Sequence, residues 1–224
     1  MPAELTPRPA LFLDRDGVLN EDPGYVYRVE DFVWIPGARE AIAAFKAAGW
    51  WVFVVTNQSG VGRGYYTEAD VAVLHAHMQS DLAAVGAGVD AFYHCPDHPE
   101  AVVETYRHPD PPRRKPNPGM LLDAIAEWPV DLTRSIMVGD KDADLEAGRR
   151  AGVALGLKFG PYCTLKGGTI SSVAPFITDA NLNFTLDAVT LSSEMRIPRS
   201  YLYIRNGLTV AAGGRLILEG SDLV

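Results

Sequence analysis

Residues 10–20, Ala10-Leu-Phe-Leu-Asp14-Arg-Asp16-Gly-Val-Leu-Asn20, carry the strongest indication of the fold of this chain. The first four of these residues are apolar and form a run of the length expected for one buried strand, and polar residues begin immediately after Leu13. A strand that is apolar on both faces is typical of a parallel sheet covered by helices on both sides. In such sheets, ligands bind beyond the carboxyl ends of the strands. We therefore expect chemically active residues directly after each apolar run.

Three further apolar runs predict strands, and helical stretches separate them. The strands are predicted at residues 51–55, 91–93 and 135–138. The helices are predicted at residues 38–48, 67–85 and 142–151, with a fourth that begins at Asn117-Pro118. Thr67 is the expected N-cap of the second helix, and Gly49 and Gly152 are expected helix ends. This alternation predicts an α/β fold, a doubly wound parallel sheet of Rossmann-like type.

The sequence changes character after residue 163, where helical periodicity ends. Short β-like runs occupy residues 181–186, 201–204, 208–210 and 215–218, and we expect turns at Asn206-Gly207 and Gly213-Gly214. Residues 164–224 carry five basic and five acidic side chains, so the first 163 residues carry the whole net charge of −8. We predict an α/β domain over 1–163 and a β-patterned extension over 164–224. The extension is loosely similar to rungs of a β-solenoid, and it could dock on the first domain, mediate association or be a fusion without a catalytic role.

Composition limits the classes of protein to consider. Hydrophobic residues make up 47% of the chain, which is enough for a buried core. The net charge of −8 argues against a general affinity for nucleic acid or anionic membranes. Two cysteines, no signal-peptide pattern and no apolar run of about 20 residues favour a soluble, cytoplasmic protein. We expect a monomer.

Asp14 and Asp16 lie two residues apart directly after the first strand, and Gly17 permits the turn that brings them to one side. Paired carboxylates repel a phosphate unless a divalent cation lies between them, so the pair predicts Mg²⁺. One carboxylate can attack phosphorus to give an aspartyl-phosphate. The other can protonate the leaving oxygen and later activate water. A solvated turn is the alternative, because an Asp-x-Asp pair alone is common.

Three more polar motifs follow, so that the four motifs lie in order at the ends of four predicted strands. Residues 56–60, Thr-Asn-Gln-Ser-Gly, offer hydroxyl and backbone N–H groups to phosphate oxygens, or form only a polar loop with a helix cap. Lys115, directly before a predicted helix, can hold a transferring phosphoryl group, or belongs to a solvated basic loop. Asp140 stands where a third metal ligand is needed, with Asp144 one helical turn further, although Asp142 offers a simple capping alternative. Together the four motifs favour a phosphate site.

In combination these motifs resemble the haloacid dehalogenase-like phosphatases. The resemblance rests on residues 14–20, 56–60, 115–120 and 139–144. More narrowly, the chain is similar to the subfamily that contains histidinol phosphatases and heptose bisphosphate phosphatases. The narrower match rests on residues 13–17, 24–26, 55–64, 93–96 and 114–121. The resemblance covers residues 8 to 160, and it implies that the domain over 1–163 is a phosphatase domain with little or no cap.

The resemblance also implies roles for individual residues. Asp14 would be the nucleophile and Asp16 the general acid and base. Asp14, the backbone carbonyl of Asp16, and Asp140 would hold Mg²⁺. Thr56 and Lys115 would stabilise the transferring phosphoryl group. The remaining contacts to substrate would come from Asp22, Gly24, Tyr25, Asn57, Gln58, Ser59, Arg114 and Lys141.

The implied reaction is removal of the 7-phosphate of D-glycero-D-manno-heptose 1,7-bisphosphate. Histidinol phosphate, another small sugar phosphate or a nucleic-acid 3′-phosphate are alternative substrates, the last disfavoured by the acidic composition. A third alternative is a binding or assembly protein whose phosphatase half is vestigial. Against it, the expected positions still carry Asp14, Asp16, Lys115 and Asp140.

The chain departs from the subfamily that it resembles in its β-patterned tail and in one loop. Many relatives bind zinc there through Cys-x-His and Cys-x-Cys, but only Cys95 remains here. Asp97 stands in place of the histidine, and Pro111 and Arg113 stand in place of the two cysteines. His94, His98 and His108 lie nearby, but their spacing is a poor match to a four-ligand zinc site. We therefore expect a zinc-free loop ordered by its prolines.

Overall fold

The structure, a computed structural model, describes residues 6–158, 162–166, 169–170, 176–177, 183–191, 194–198, 201–212, 215–219 and 222–223. The chain divides into two compact units, Met1–Val153 and Ala154–Val224. This division lies earlier than the predicted boundary after residue 163, because strand β5 (Leu155–Lys158) pairs antiparallel with β6 (Tyr162–Lys166) of the second unit. The roles of the two units stay a prediction.

The first unit confirms the predicted α/β architecture. Four parallel strands lie in the order β4-β1-β2-β3. Their bounds are β1 Ala10–Leu13, β2 Trp51–Asn57, β3 Ala91–Cys95 and β4 Ile136–Gly139. The helices are α1 Ala38–Ala47, α2 Ser59–Gly62, α3 Glu68–Ala83, α4 Gly119–Glu127 and α5 Asp142–Ala151. Short 3-10 turns occupy Val29–Asp31, Glu104–Tyr106 and Leu132–Arg134.

Capping residues define the start of α3 and the end of α5. Thr67 and Asp70 form a reciprocal capping box at the start of α3, in which each side chain accepts the other residue's backbone N–H. Gly152 ends α5 in the left-handed region at φ +84°. The predicted start of α4 was one residue early. Pro118 is its N-cap, because the side chain of Asn117 donates instead to Asp110 and to the carbonyl of Pro111.

The core of the first unit lies on both faces of its sheet. On one face, Phe12 and Phe53 pack with their ring centroids 5.4 Å apart, together with Met120 of α4 and Ala147 of α5. Because side chains alternate along a strand, Val54 points to the opposite face, and it too is fully buried. The strands are therefore covered on both sides, as their continuous apolar runs predict.

Burial of His75 makes the stability of this core sensitive to acid. The ring stacks on Phe92 at 4.4 Å, and its Nε2 is buried without a hydrogen-bond partner among the described residues. Burial lowers the pKa of His75 from 6.5 to about 3. The neutral ring therefore stabilises the fold fully above pH 6.5, and this contribution is lost as pH falls, at up to about 1.4 kcal/mol per pH unit.

We expect His75→Phe to flatten the pH dependence of unfolding between pH 7 and 5 by about 2 kcal/mol relative to wild type. Urea denaturation at a series of pH values measures this effect. His108→Gln, which removes a half-exposed histidine, is the control substitution and is measured in parallel. An unchanged slope in His75→Phe would show that the ring is not held neutral in the folded state.

The second unit is built from parallel strands, apart from the β5–β6 pair. One series runs through β6, β9 (Asn183–Leu191), β11 (Tyr201–Val210) and β13 (Asp222–Leu223), with β7 (Thr169–Ile170) beside β9. A second sheet contains β8 (Phe176–Ile177), β10 (Glu194–Pro198) and β12 (Arg215–Glu219). The buried cluster of this unit contains Leu186, Val189, Leu191, Met195 and Leu202. The predicted β-rich extension is confirmed, and its parallel pairing is that of a stacked solenoid.

The predicted turn at Asn206-Gly207 was wrong. Strand β11 continues through both residues, and its register against β9 shifts between Arg205 and Leu208. Gly207, at φ +93°, supplies the backbone conformation for this irregularity. The other predicted turn, Gly213-Gly214, lies outside the described residues. Within the described part of the chain, no helix has the length and apolar character that crossing a membrane requires.

Candidate active site

The predicted site residues meet at one edge of the first unit's sheet. Asp14 directly follows β1, Thr56 lies at the end of β2, and Asp140 directly follows β4. These three strands are neighbours in the sheet, so their carboxyl ends bring the side chains together. Lys115 arrives from the loop before α4 rather than from a strand. The polar residues therefore converge at the edge that the parallel-sheet rule predicts.

Lys115 is the central cation of the site and is only 3% exposed. Its Nζ lies 2.9 Å from Oδ1 of Asp14 and 2.5 Å from Oδ1 of Asp144, and donates to the carbonyl of Val55 at 2.7 Å. Asn57 fixes the backbone of the lysine, because its amide donates to the Lys115 carbonyl and accepts the Lys115 N–H. A long, flexible side chain is thus held in one position.

The charge states of this cluster follow from burial and from close partners. Burial raises the pKa of Asp14 to about 6, although the nearby charge of Lys115 opposes that shift. For Lys115, burial acts to lower the pKa, but the carboxylates of Asp14 and Asp144 outweigh it and raise the pKa above its usual value. The lysine therefore stays charged, and Asp14 is a carboxylate whose ionised form has limited solvation. A poorly solvated carboxylate beside a fixed cation suits a nucleophile.

Three carboxylates next to this lysine can hold a metal ion. Oxygens of Asp14, Asp140 and Asp144 lie within 4.8 Å of one another, and no other such group of three or more occurs in the described ranges. Oδ1 of Asp140 is buried without a hydrogen-bond partner among those residues. Burial is also the main reason that the pKa of Asp140 is raised. A buried carboxylate oxygen without a donor is suited to coordinate a cation such as Mg²⁺.

Asp144 differs from the other two carboxylates because both of its oxygens already have partners. Oδ1 pairs with Lys115, and Oδ2 accepts the backbone N–H of Lys141 at 2.9 Å. The residue is 1% exposed, at the first turn of α5. It therefore orients the lysine, and Asp140 is the better candidate for a metal ligand. The sequence had suggested Asp144 only as a residue one turn beyond Asp140, without a role; its place in the 139–144 motif was the available signal.

The second predicted catalytic carboxylate, Asp16, is held by three side chains. The fully buried Arg15 donates to both of its oxygens at 2.9 to 3.0 Å. Asn20 donates to Oδ1 at 3.0 Å, and Gln58 donates to Oδ2 at 2.9 Å. Because donors contact both oxygens, the position of this carboxylate is set by its surroundings rather than by its own rotamer preference.

A cavity of about 290 Å³ opens above these residues. Most of the predicted site residues line it, together with Tyr66, Ala143 and Asp144, for which the sequence predicted no role. The predicted residues in the lining are Asp14, Asp16, Asp22, Gly24, Tyr25, Thr56, Asn57, Ser59, Arg114, Lys115 and Lys141. The lining does not include Asp140 or Gln58. The roles assigned to all these residues stay predictions.

Gln58 lies beneath the cavity and is linked to Tyr66, which lines it. The Gln58 side chain was expected to contact substrate, but the residue is only 1% exposed and donates to Asp16 and to Thr56 Oγ1. The Tyr66 hydroxyl donates to Gln58 Oε1 at 2.7 Å. Burial raises the pKa of Tyr66 to about 12, so the hydroxyl keeps its proton. No motif in the sequence had pointed to Tyr66.

The outer wall of the cavity combines aromatic and basic groups. Tyr25 adopts a positive φ of 56° and packs edge-to-face on Tyr65 at 4.9 Å. Arg114 donates to the backbone carbonyl of Asp97 at 3.3 Å. The ammonium of Lys141 lies 3.7 Å from Asp22. Aromatic faces, cations and hydrogen-bonding groups are the features expected of a pocket for a phosphorylated sugar.

The loop around Cys95, for which the sequence predicts no zinc, is organised by protein contacts. Cys95 is buried, its Sγ lies 3.9 Å from a carboxylate oxygen of Asp97, and burial raises its pKa to about 11. The carbonyls of Pro111 and Pro112 accept backbone hydrogen bonds from Arg114 and Gly119. The expectation that this loop binds no zinc stays a prediction.

Comparison with known proteins gives one family. The profile of the haloacid dehalogenase-like hydrolases matches residues 6–152. The D-glycero-beta-D-manno-heptose-1,7-bisphosphate 7-phosphatase of Rhodopseudomonas palustris is 47% identical over 153 residues, covering 68% of this chain and 84% of that protein. The corresponding alpha-heptose enzyme of Burkholderia mallei is 49% identical over 144 residues, covering 64% and 76%. A solved structure of D,D-heptose 1,7-bisphosphate phosphatase from B. bronchiseptica, complexed with magnesium and phosphate, is also similar to this chain. The two sequences are 37% identical, and the match covers 65% of this chain and 78% of the solved chain with a TM-score of 0.58.

Proposed function

Since the chain belongs to the haloacid dehalogenase-like hydrolases, we propose that it is a phosphatase that removes the 7-phosphate of D-glycero-D-manno-heptose 1,7-bisphosphate through an aspartyl-phosphate. The observation that carries this proposal is the buried contact of 2.9 Å between Asp14 and Lys115 at the carboxyl end of β1. This contact places a carboxylate that can attack phosphorus beside a cation that can neutralise the negative charge of the phosphate.

Each catalytic residue has a separate role in the reaction. The Asp14 carboxylate attacks phosphorus, and a bond from its oxygen to phosphorus replaces the bond to the sugar oxygen. Asp16 gives a proton to that leaving oxygen, and afterwards takes one from the water that hydrolyses the aspartyl-phosphate. Lys115 and the hydroxyl of Thr56 hold the oxygens of the transferring group. Asp14, Thr56 and Lys115 are buried, and burial raises the strength of their electrostatic interactions with phosphate.

Asp14, Asp140 and the backbone carbonyl of Asp16 would hold Mg²⁺. Oxygen ligands of this kind suit the ion, and the unpartnered Oδ1 of Asp140 among the described residues supports the assignment. When bound, the ion supplies positive charge between the carboxylates and the phosphate. A phosphate complex of the B. bronchiseptica relative contains magnesium, which also supports this choice.

The choice of heptose rests on the relatives and on the cavity wall. The compared relatives are named for heptose 1,7-bisphosphate, with the beta anomer in one and the alpha anomer in the other. Arg114, whose pKa is lowered by burial, and Lys141 place two cations at the cavity beyond the catalytic lysine. These additional cations can bind the second phosphate of a bisphosphate substrate.

Phosphate release from a panel of substrates tests the proposal. The panel contains both anomers of the heptose bisphosphate, histidinol phosphate and a 3′-phosphorylated oligonucleotide, each with Mg²⁺ or with EDTA. We expect one phosphate released per heptose bisphosphate, activity that EDTA abolishes, and at least about 100-fold lower kcat/KM for the other compounds, equivalent to about 2.7 kcal/mol. Activity confined to histidinol phosphate would replace the substrate, and activity that survives EDTA would remove the metal from the proposal.

A further inference from the structure

Tyr66 reaches the catalytic groups through a single intermediary, Gln58. The tyrosine hydroxyl donates to Gln58 Oε1 at 2.7 Å, and this leaves the amide nitrogen to face the other way. That nitrogen donates both to Asp16 Oδ2 and to Thr56 Oγ1, each at 2.9 Å. Gln58 thus links the general acid to the hydroxyl that holds the phosphoryl group.

The structure accommodates Tyr66 in this position closely. A Cβ atom at Gly60 would lie 2.5 Å from Cζ and 2.6 Å from the hydroxyl oxygen of Tyr66, so the ring can lie across the start of α2 only above a glycine. On its other side the ring stacks on Tyr27, with centroids 4.8 Å apart and planes 10° from parallel. Tyr66 is 7% exposed. The ring is therefore fixed from two sides, and its hydroxyl points at one acceptor.

We infer that Tyr66 is a positioning residue for proton transfer, and that it acts by fixing the amide of Gln58, which in turn holds Asp16. An amide side chain can rotate by about 180°, and the rotated form would place an acceptor oxygen where Asp16 and Thr56 now find a donor. The hydroxyl of Tyr66 selects one of these two orientations, because its proton needs an acceptor. This inference rests on the proposed phosphatase chemistry and adds two residues to it.

Two substrates with different leaving groups can distinguish a role of Tyr66 in proton transfer from a purely structural role. A sugar phosphate releases an alkoxide, which needs the proton of Asp16, whereas p-nitrophenyl phosphate releases a phenolate that is stable without one. The kcat/KM value covers the steps up to cleavage of that bond. Damage to the fold or to phosphate binding lowers kcat/KM for both substrates. Damage to proton donation lowers it for the sugar phosphate alone.

The test is kcat/KM of Tyr66→Phe on the heptose bisphosphate and on p-nitrophenyl phosphate. We expect about a tenfold loss on the sugar phosphate, the effect of one lost hydrogen bond, and less than about a twofold change on the aryl phosphate. Tyr27→Phe is the matched control, since it removes from the same ring stack a hydroxyl that accepts a hydrogen bond from Arg28, away from Gln58. Its kcat/KM should match wild type on both substrates.

A double variant tests whether Tyr66 acts through Gln58. Gln58→Met removes the intermediary, so adding Tyr66→Phe to it should cause no further loss on the sugar phosphate. Equal losses on both substrates in Tyr66→Phe, or additive losses in the double variant, would overturn the inference. A wild-type protein inactive on every phosphate ester would instead overturn the proposed function, so the two failures are distinguishable.

Discussion

Asp14→Asn is expected to lower kcat for phosphate release by on the order of 10⁴-fold or more, because it removes the attacking oxygen's charge and basicity. The fold should survive. Lys115 keeps its partner Asp144 at 2.5 Å, and the amide has nearly the shape of the carboxylate. Steady-state release of inorganic phosphate from the heptose bisphosphate measures the loss, and trapping of a phosphorylated protein after acid quench should succeed with wild type and fail with the variant.

Stability should move in the opposite direction to activity. Burial raises the pKa of Asp14 from 3.8 to about 6, so its ionised form weakens the fold as pH rises through that interval. In metal-free buffer at about pH 7.5, Asp14→Asn should therefore be more stable than wild type, by at most about 3 kcal/mol. Thermal denaturation with EDTA measures this difference.

Asp90→Asn is the matched control for this substitution. It makes the same chemical change in a partly buried ion pair with Lys46, outside the cavity lining. We expect normal kcat and reduced stability, because Asp90 also accepts the backbone N–H of Val52. Near-normal turnover in Asp14→Asn, verified to be free of deamidated protein by mass spectrometry, would contradict the covalent mechanism.

The strand ends were predictable because two simple rules agree there. The apolar runs 10–13 and 51–55 lie in strands that are largely buried on both faces, and a parallel sheet places its chemistry at the carboxyl ends of such strands. Asp14 and Thr56 follow from that logic without further information. Asp140 follows in the same way from β4.

The second layer of the site was not predictable by the same logic. Residues 57–59 seemed equivalent in the sequence, but the chain passes from β2 into the short helix α2 there, and the side chains separate. Asn57 contacts the backbone of Lys115, Gln58 points inward, and Ser59 lines the cavity. Side chains alternate between two faces in a strand but follow a period of about 3.6 residues in a helix, and the change occurs within these residues. Their spacing in the sequence therefore does not give their roles.

Local turn chemistry failed as a predictor in the second unit for a comparable reason. Asn-Gly is the strongest short hairpin signal, but it applies to two antiparallel strands joined by a two-residue loop. The strand that contains Asn206-Gly207 is instead paired in parallel with β9 before and after these residues. The pairing on both sides outweighs the local preference of two residues, and the glycine is used for a register shift.

Lys115→Met is expected to have the second large effect, on stability as well as on activity. The lysine lies between Asp14 and Asp144 at 3% exposure, so its removal leaves two buried carboxylates without their cation. Breaking a buried ion pair from one side costs about 3–5 kcal/mol. Turnover should also fall by on the order of 10³-fold, since the developing charge on the phosphoryl oxygens loses the cation that the protein itself supplies. Urea denaturation and kcat of the folded protein measure the two effects separately.

Adding Asp144→Asn to Lys115→Met tests whether charge balance explains the loss of stability. The double variant has lost one buried charge of each sign, and the neutral amide that replaces Asp144 no longer needs a cation, so part of the lost stability should return, while Asp14 still lacks its cation. Activity should not return, because the phosphoryl group still lacks the lysine. If the double variant is no more stable than Lys115→Met alone, the lysine stabilises the site through its packing and its hydrogen bond to Val55 rather than through its charge. Recovery of stability without recovery of turnover would assign the two roles of Lys115 to different partners: Asp144 for the fold, and the phosphate for catalysis.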